Sequence, residues 1–334
     1  MDTPRLILPS DLESVGQDRR TLVALCNKGE LFRVRRGVYA RSAEWTALRP
    51  LQQYGLRALA LQHAARRQPV LAHATAALLW GLWIVGTPVR LHTMTEVTTG
   101  GRNENDVVRH RGSLTDHVVR CGPFLLTDKL TTVMQLILSL DFPYAVAVCD
   151  SSLRTSGRKY IVNRFGSAGD EPSSGEPVWQ STCPQGMPLR REELVAAAEA
   201  LPSKAASRRA LTVVRFASEL SGSAGESISR ARIHQLGFPA PVLQKRYILR
   251  NGSNAFVDFW FKELNLAGEF DGKDKYLRSS WGGGLSLQDR ILKEKAREDD
   301  IRGQGVRFVR WTWAEMMNNT RFSHLLRQAG LRQE

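Results

Sequence analysis

Asp258, Glu269 and Asp271 are acids set inside two strand-like apolar runs, Ala-Phe-Val-Asp-Phe-Trp-Phe at 255–261 and Leu-Ala-Gly-Glu-Phe-Asp at 266–271. Acidic side chains are disfavoured in strands, so three of them this close require a charge partner. Suppose the runs pair as an antiparallel hairpin turning at Glu263-Leu264. Val257 then faces Phe270, Phe259 faces Gly268 and Phe261 faces Leu266, all on one apolar face. The two-residue period of a strand places Asp258 opposite Glu269 on the other face, with Cβ atoms about 4.5–5.5 Å apart. Asp271 and Lys273 continue along that face. Opposed carboxylates repel, and a proton, a lysine or a divalent cation relieves them. Hard oxygen donors suit Mg²⁺ or Mn²⁺. Such an ion activates water and stabilises charge on a scissile phosphate. A solvated strand face would also carry acids, but three on one face beside Gly272 and Lys273 weigh against it.

The surrounding segments supply a frame for these acids. Residues 226–236 read as a helix ended by Gly237, and 244–249, 255–261 and 266–271 read as strands. A charged amphipathic helix is predicted at 287–302, a strand at 306–311 and the start of a last helix at 313–318. The order is α-β-β-β-α-β-α. Gly282-Gly283-Gly284 lacks the following Lys-Ser/Thr of a P-loop and reads as a loop. The charged run at 293–300 reads as a solvated helix face, although Arg290, Lys293 and Arg297 recur at helical spacing and allow a DNA-facing stripe.

Val257-Asp258-Phe259, then Leu266 to Gly272 (Leu-Ala-Gly-Glu-Phe-Asp-Gly), then Gly305 to Trp311 (Gly-Val-Arg-Phe-Val-Arg-Trp) together resemble the DUF559 family. That family is similar to very-short-patch-repair endonucleases and belongs to the PD-(D/E)XK nuclease superfamily. The resemblance spans about 216–320. It implies a restriction-endonuclease-like αβββαβ core with Asp258 and Glu269 as metal ligands and Glu226, on the first helix, near the metal. It also implies Mg²⁺ or Mn²⁺ as the cofactor. Two positions depart from the pattern. Asp271 stands where the superfamily has the lysine of E-x-K, and Lys275 stands where a histidine is common. Lys273 or Lys275 is left to stabilise charge on phosphate.

In the N-terminal half, Asp11 and Asp18 are placed to cap two short helices, and Lys28-Gly29 stops the second. Residues 31–41 alternate apolar and basic residues on each side of Gly37, as in a tight hairpin. Helix, helix and basic hairpin is the order of a winged helix-turn-helix. The stretch from Gly29 to Tyr39 resembles the winged-helix domain of AbiEi-type antitoxins, and a weaker match continues through 71–82 and 126–150. Such domains repress their own operons by binding DNA. The resemblance implies duplex DNA as a partner and a cognate toxin encoded nearby. Arg19, Arg20 and Lys28 flank the candidate recognition helix, and Arg33, Arg35, Arg36 and Arg41 decorate the wing. Arginine suits phosphates and guanine edges.

At 334 residues the chain exceeds one ordinary core. The fold class expected is α+β multidomain. It comprises a winged helix-turn-helix at 1–48, a mixed α/β middle domain at 49–215 and a nuclease-type domain at 216–334. A Gly/Ser/Pro-rich insertion is expected at 163–188. Residues 51–66, 72–82 and 127–140 read as helices, 89–94 and 107–111 as strands, and 145–148 as a short apolar segment of either kind. His73 reads as a core or boundary residue, His92 and His110 as strand residues, and Trp80 and Trp83 as core. The net charge of +14 fits a polyanionic partner, because neutralising phosphates releases counterions. The longest apolar runs are too short to span a bilayer, the N-terminus lacks a signal-peptide pattern, and the four cysteines form no CxxC pair. These features predict a cytoplasmic protein with no membrane partner. Two functions compete: a DNA-binding, metal-dependent endonuclease, or a repressor or antitoxin of a type IV toxin–antitoxin-like system whose nuclease fold is catalytically silent.

Overall fold

The computed structural model describes residues 5–13, 20–97, 106–154, 162–164, 178–272 and 287–334. Arg19, Asp18, Lys273, Lys275 and the Gly282–Gly284 stretch lie outside the described residues. The chain is mixed α+β and divides into two compact units: 1–138 with 155–201, and 139–154 with 202–334.

The first unit begins with α1 (Pro9–Glu13) and α2 (Arg20–Asn27), followed by strands β1 (Leu31–Arg35) and β2 (Val38–Arg41). The two strands pair as an antiparallel hairpin with a bulge between Arg33 and Arg35. Gly37 turns it at φ +77°, a left-handed backbone that glycine adopts without strain. Ile7 adds an edge to the hairpin through N–H···O bonds of 2.8 and 3.0 Å with Tyr39. Leu22, Leu31 and Tyr39 are buried together beneath α2. Next come α3 (Ser42–Ala47), α4 (Pro50–Ala64), β3 (Val70–Leu71), α5 (His73–Trp80), β4 (Leu91–Thr95), β5 (Val107–Arg111), β6 (Val118–Cys121) and β7 (Phe124–Thr127). Helix α6 (Lys129–Ser139) follows β7. Trp80 and Trp83 are buried as expected.

Helix α7 (Phe142–Leu153) contains the apolar segment 145–148 and belongs to the second unit. The chain then returns to the first unit with β8 (Val162–Arg164) and α8 (Arg191–Glu199). Apart from the β1–β2 hairpin, the described strands of this unit form one six-stranded sheet in the order β5-β4-β3-β7-β6-β8.

The second unit resumes with α9 (Lys204–Phe216) and α10 (Ala224–Gln235). Strands β9 (Val242–Ile248), β10 (Asn254–Phe261) and β11 (Leu266–Phe270) follow, then α11 (Leu287–Arg302), β12 (Arg307–Trp311), α12 (Trp313–Met316) and α13 (Asn319–Gln328). The sheet order is β12-β11-β10-β9. Strands β11 and β12 are parallel, which requires a crossover, and α11 lies in that connection. The tilted rings of Phe259, Trp311 and Phe322 pack in series with centroids 5.3 Å apart. Gly268 leaves room for them: a Cβ there would meet the Trp311 ring at 2.6 Å.

Helices α7 and α9 group with the C-terminal sheet in the second unit. The reason is a buried charge. Asp150 on α7 is fully buried and pairs with Arg230 of α10 at 2.9 Å. Its carboxylate also accepts from Ser218 N, Ser221 Oγ and Ser227 Oγ at 2.7, 3.0 and 2.7 Å.

Candidate functional site

The hairpin between β10 and β11 has the register read from the sequence, with Phe259 paired to Gly268 and Phe261 to Leu266. A turn of 3-10 helix, Lys262–Leu264, joins them, and Asn265 closes it at φ +42°. The paired residues run only as far as Phe259–Gly268. Beyond that point Asp258 does not simply stand across from Glu269: its Oδ2 accepts a hydrogen bond from Phe270 N at 3.1 Å. The two acids are nonetheless close enough that Asp258 raises the proton affinity of Glu269. Burial is the larger cause of that upward shift, since Glu269 is only 8% exposed.

The expectation of one straight apolar row also needs correction. Val257 packs with Ala255, Ala267, Ile301 and Val306, whereas Phe259 stacks on Trp311. The physical reason lies on β9. Lys245 pairs with Val257 and Leu243 with Phe259, and between them Gln244 adopts φ +50°. A left-handed residue inside a strand kinks the ladder and costs free energy. The kink falls at Asp258, the position across from Gln244 in this register.

Gln244 also links the sheet to α10. Its Nε2 donates to Glu226 Oε2 at 3.2 Å. Glu226 is buried at the helix N-terminus, where its carboxylate accepts from Gly222 N at 2.6 Å and from Ser223 Oγ at 3.0 Å. Ser223 in turn caps the helix by accepting from Glu226 N at 3.2 Å. Glu226 is therefore held by its own turn. Sequence reasoning missed Gln244, because its neighbours in the chain give no sign that it bends the backbone.

What neutralises Glu269 is a pair of arginines. Arg297 of α11 donates to Oε1 at 2.6 Å, and Arg310 of β12 reaches Oε2 at 2.8 Å. Arg297 also meets Glu294 at 2.6 Å, and Arg310 meets Glu294 at 3.2 Å and Glu298 at 2.7 Å. Both guanidiniums are held more firmly protonated than usual: burial opposes this, and the surrounding carboxylates overcome it. Arg297 thus faces the acids, while Lys293 of the same helix is exposed.

By type, the carboxylates suit a hard divalent cation. By placement, the oxygens of Glu269 are already engaged by guanidiniums and Oδ2 of Asp258 by a backbone N–H. Among the described residues, no group of three His, Cys, Asp or Glu side chains is placed to hold a metal ion. Arg297 and Arg310 therefore already supply the positive charge that a cation on Glu269 would bring. Asp271 is half-buried, and its N–H continues the parallel ladder to Trp311 O at 2.8 Å.

In the first unit, Arg20, Lys28, Arg33, Arg36 and Arg41 are exposed. Arg35 is not: burial lowers its proton affinity, and Asp106, Arg109 and Arg57 lie close to it. Far from the wing in sequence, His73, His92 and His110 come together. His92 Nδ1 and His110 Nε2 are 2.9 Å apart, and the ring of His73 stacks on that of His110 at 3.6 Å. No protein-family model matches the chain, and no curated protein matches it. Among the described residues, no helix is long and apolar enough to cross a membrane.

Proposed function

We propose that the chain is a DNA-binding protein whose second unit hydrolyses DNA phosphodiesters with Mg²⁺ or Mn²⁺. The observation that carries this is the placement of Asp258 and Glu269 on the two central strands, close enough to interact electrostatically. The order α10-β9-β10-β11-α11-β12, with Glu226 on α10, supports this reading. Asp258 and Glu269 are the ligands in this proposal, Glu226 assists, and Asp271 with Lys273 or Lys275 completes the site. The first unit recruits duplex DNA as a winged helix. Its α2 and the β1–β2 hairpin carry exposed Arg20, Lys28, Arg33, Arg36 and Arg41 in support of that role.

A plasmid-nicking assay with Mg²⁺ and with Mn²⁺ tests the enzyme. Wild type nicks, and Asp258→Ala and Glu269→Ala lose on the order of 100-fold or more of the rate. Equal rates in all three proteins would remove the site. A second proposal has its own support, the engagement of Glu269 by Arg297 and Arg310. It is a repressor or antitoxin with a silent nuclease fold. It gives tight binding to its own promoter, no cleavage in any metal, and a toxin gene nearby.

A further inference from the structure

Helix α2 turns one face to the core and the other outward. Leu22 is buried with Leu31 and Tyr39, and Leu25 and Cys26 pack against the same cluster. Arg20, Val23, Ala24 and Asn27 are exposed. They stand at i, i+3, i+4 and i+7, so they form one stripe on the side away from the core. Val23 is 55% exposed. The middle of the stripe is thus apolar, while Lys28 beyond it and Arg33 and Arg36 of the hairpin are exposed cations. The helix end is tied to the hairpin. Lys28 N donates to Ala24 O, Gly29 N to Cys26 O and Glu30 N to Leu25 O, each at 3.0 Å, and Gly29 makes the turn at φ +78°. Strand β1 begins at Leu31, so stripe and cations are presented as one rigid piece. The 8 residues of the helix rise about 12 Å, which matches the width of the major groove of B-DNA.

We propose that Val23, with Ala24 on the same face, reads the 5-methyl group of a pyrimidine in the major groove. This rests on the DNA-binding reading above and adds its sequence preference. Contacts from Lys28 and the hairpin arginines to phosphates fix register but carry no sequence information. Discrimination therefore falls to the side chains between them. Thymine presents a methyl group in the major groove, and an apolar side chain recognises it. The contact removes apolar surface from water on both partners, whereas a pyrimidine without the methyl group offers Val23 nothing apolar to meet.

The test starts by selecting, from a random library, duplexes that the full chain binds. The enriched pool is then copied with dU in place of dT, which removes only the 5-methyl groups. Wild type binds the dU pool about fourfold weaker for each methyl group it reads. Val23→Ala binds the dT pool more weakly than wild type does and separates dT from dU by no more than about twofold. Val23→Thr keeps one methyl group and falls between them. Thermal melting checks that both variants fold. A second selection, from a library made with 5-methyl-dC, tells the two sources of the group apart: enrichment of thymine or of methylated cytosine supports the contact and names its base. Equal affinity of wild type for the dT and dU pools would overturn the methyl contact and leave DNA binding standing. The same dT-to-dU ratio in Val23→Ala as in wild type would overturn it too, since the methyl group would then be read elsewhere. A wild-type dimer that Val23→Ala dissociates, with no effect of dU, would overturn it by assigning Val23 to a contact between two copies. No binding to any duplex would overturn this inference and the DNA-binding reading together.

Discussion

The histidines of the first unit behave differently from the carboxylates of the second, although both are clusters of like groups. The acids are compensated by arginines, whereas His73, His92 and His110 are compensated by staying neutral. Burial, with the neighbouring histidines, holds His73 down at about 3, and burial, with His110 and Arg90, holds His92 down at about 4. Burial also lowers His110. In the unfolded chain each returns to about 6.5 and takes up protons more readily. Stability from the cluster is therefore full above pH 6.5 and is lost as the pH falls toward 4. Urea melts at pH 7.5 and 5.0 should show a loss of about 2 kcal/mol for each histidine that stays neutral in the fold, and a smaller total loss in a His92→Asn/His110→Gln variant, which keeps only His73. An identical pH dependence in the two proteins would mean that the cluster does not titrate this way. The φ of +49° at His73, whose N–H donates to Gln135 Oε1 at 2.9 Å, shows how tightly this corner is built.

At the level of elements, the second unit depends on a helix that enters it from earlier in the chain. Helix α7 docks on α10 through Asp150, whose carboxylate is fully buried yet fully bonded. The Asp150→Ala variant would strand Arg230, whose Nη2 bonds to that carboxylate and whose Nη1 donates to Phe216 O at 2.6 Å. We expect a loss of about 3–5 kcal/mol in chemical denaturation. Undiminished stability would show that α7 is dispensable to the unit. The kink at Gln244 belongs to the same scale. It reverses which residues of β10 pack on which side and sets Asp258 at the bend, so the position of the acid is decided by the neighbouring strand.

For the whole molecule, the net charge of +14 is the property that a polyanion would sense first. DNA affinity should fall steeply with salt. Arg33→Ala and Arg36→Ala, both at exposed hairpin positions, should each lower the slope of log affinity against log salt by about one. Arg35→Ala should instead cost stability, because this side chain is half-buried near Asp106. Filter binding across a salt series checks both, and unchanged slopes for Arg33 and Arg36 would remove the hairpin from the DNA surface.

The sequence by itself determined the elements from α10 onward and the pairing of Phe259 with Gly268 and of Phe261 with Leu266. Helix 287–302 was legible to the residue, and the hairpin of β10 and β11 followed from alternation, its turn read at Glu263-Leu264 and formed by Lys262–Leu264. These features are local, because periodicity and turn chemistry are written in adjacent residues. Tertiary structure decided what neutralises the acids. Alternation shows that Asp258 and Glu269 need a counter-charge, but Arg297 and Arg310 lie 28 and 41 positions beyond Glu269 (297 − 269 and 310 − 269). Only the α11 crossover and the parallel pairing of β12 bring them to it. The three histidines and the Asp150 tie were hidden for the same reason, since each joins segments that only folding makes neighbours. The feature that drew attention first, a row of acids, was in the sequence, but its arginine partners were not.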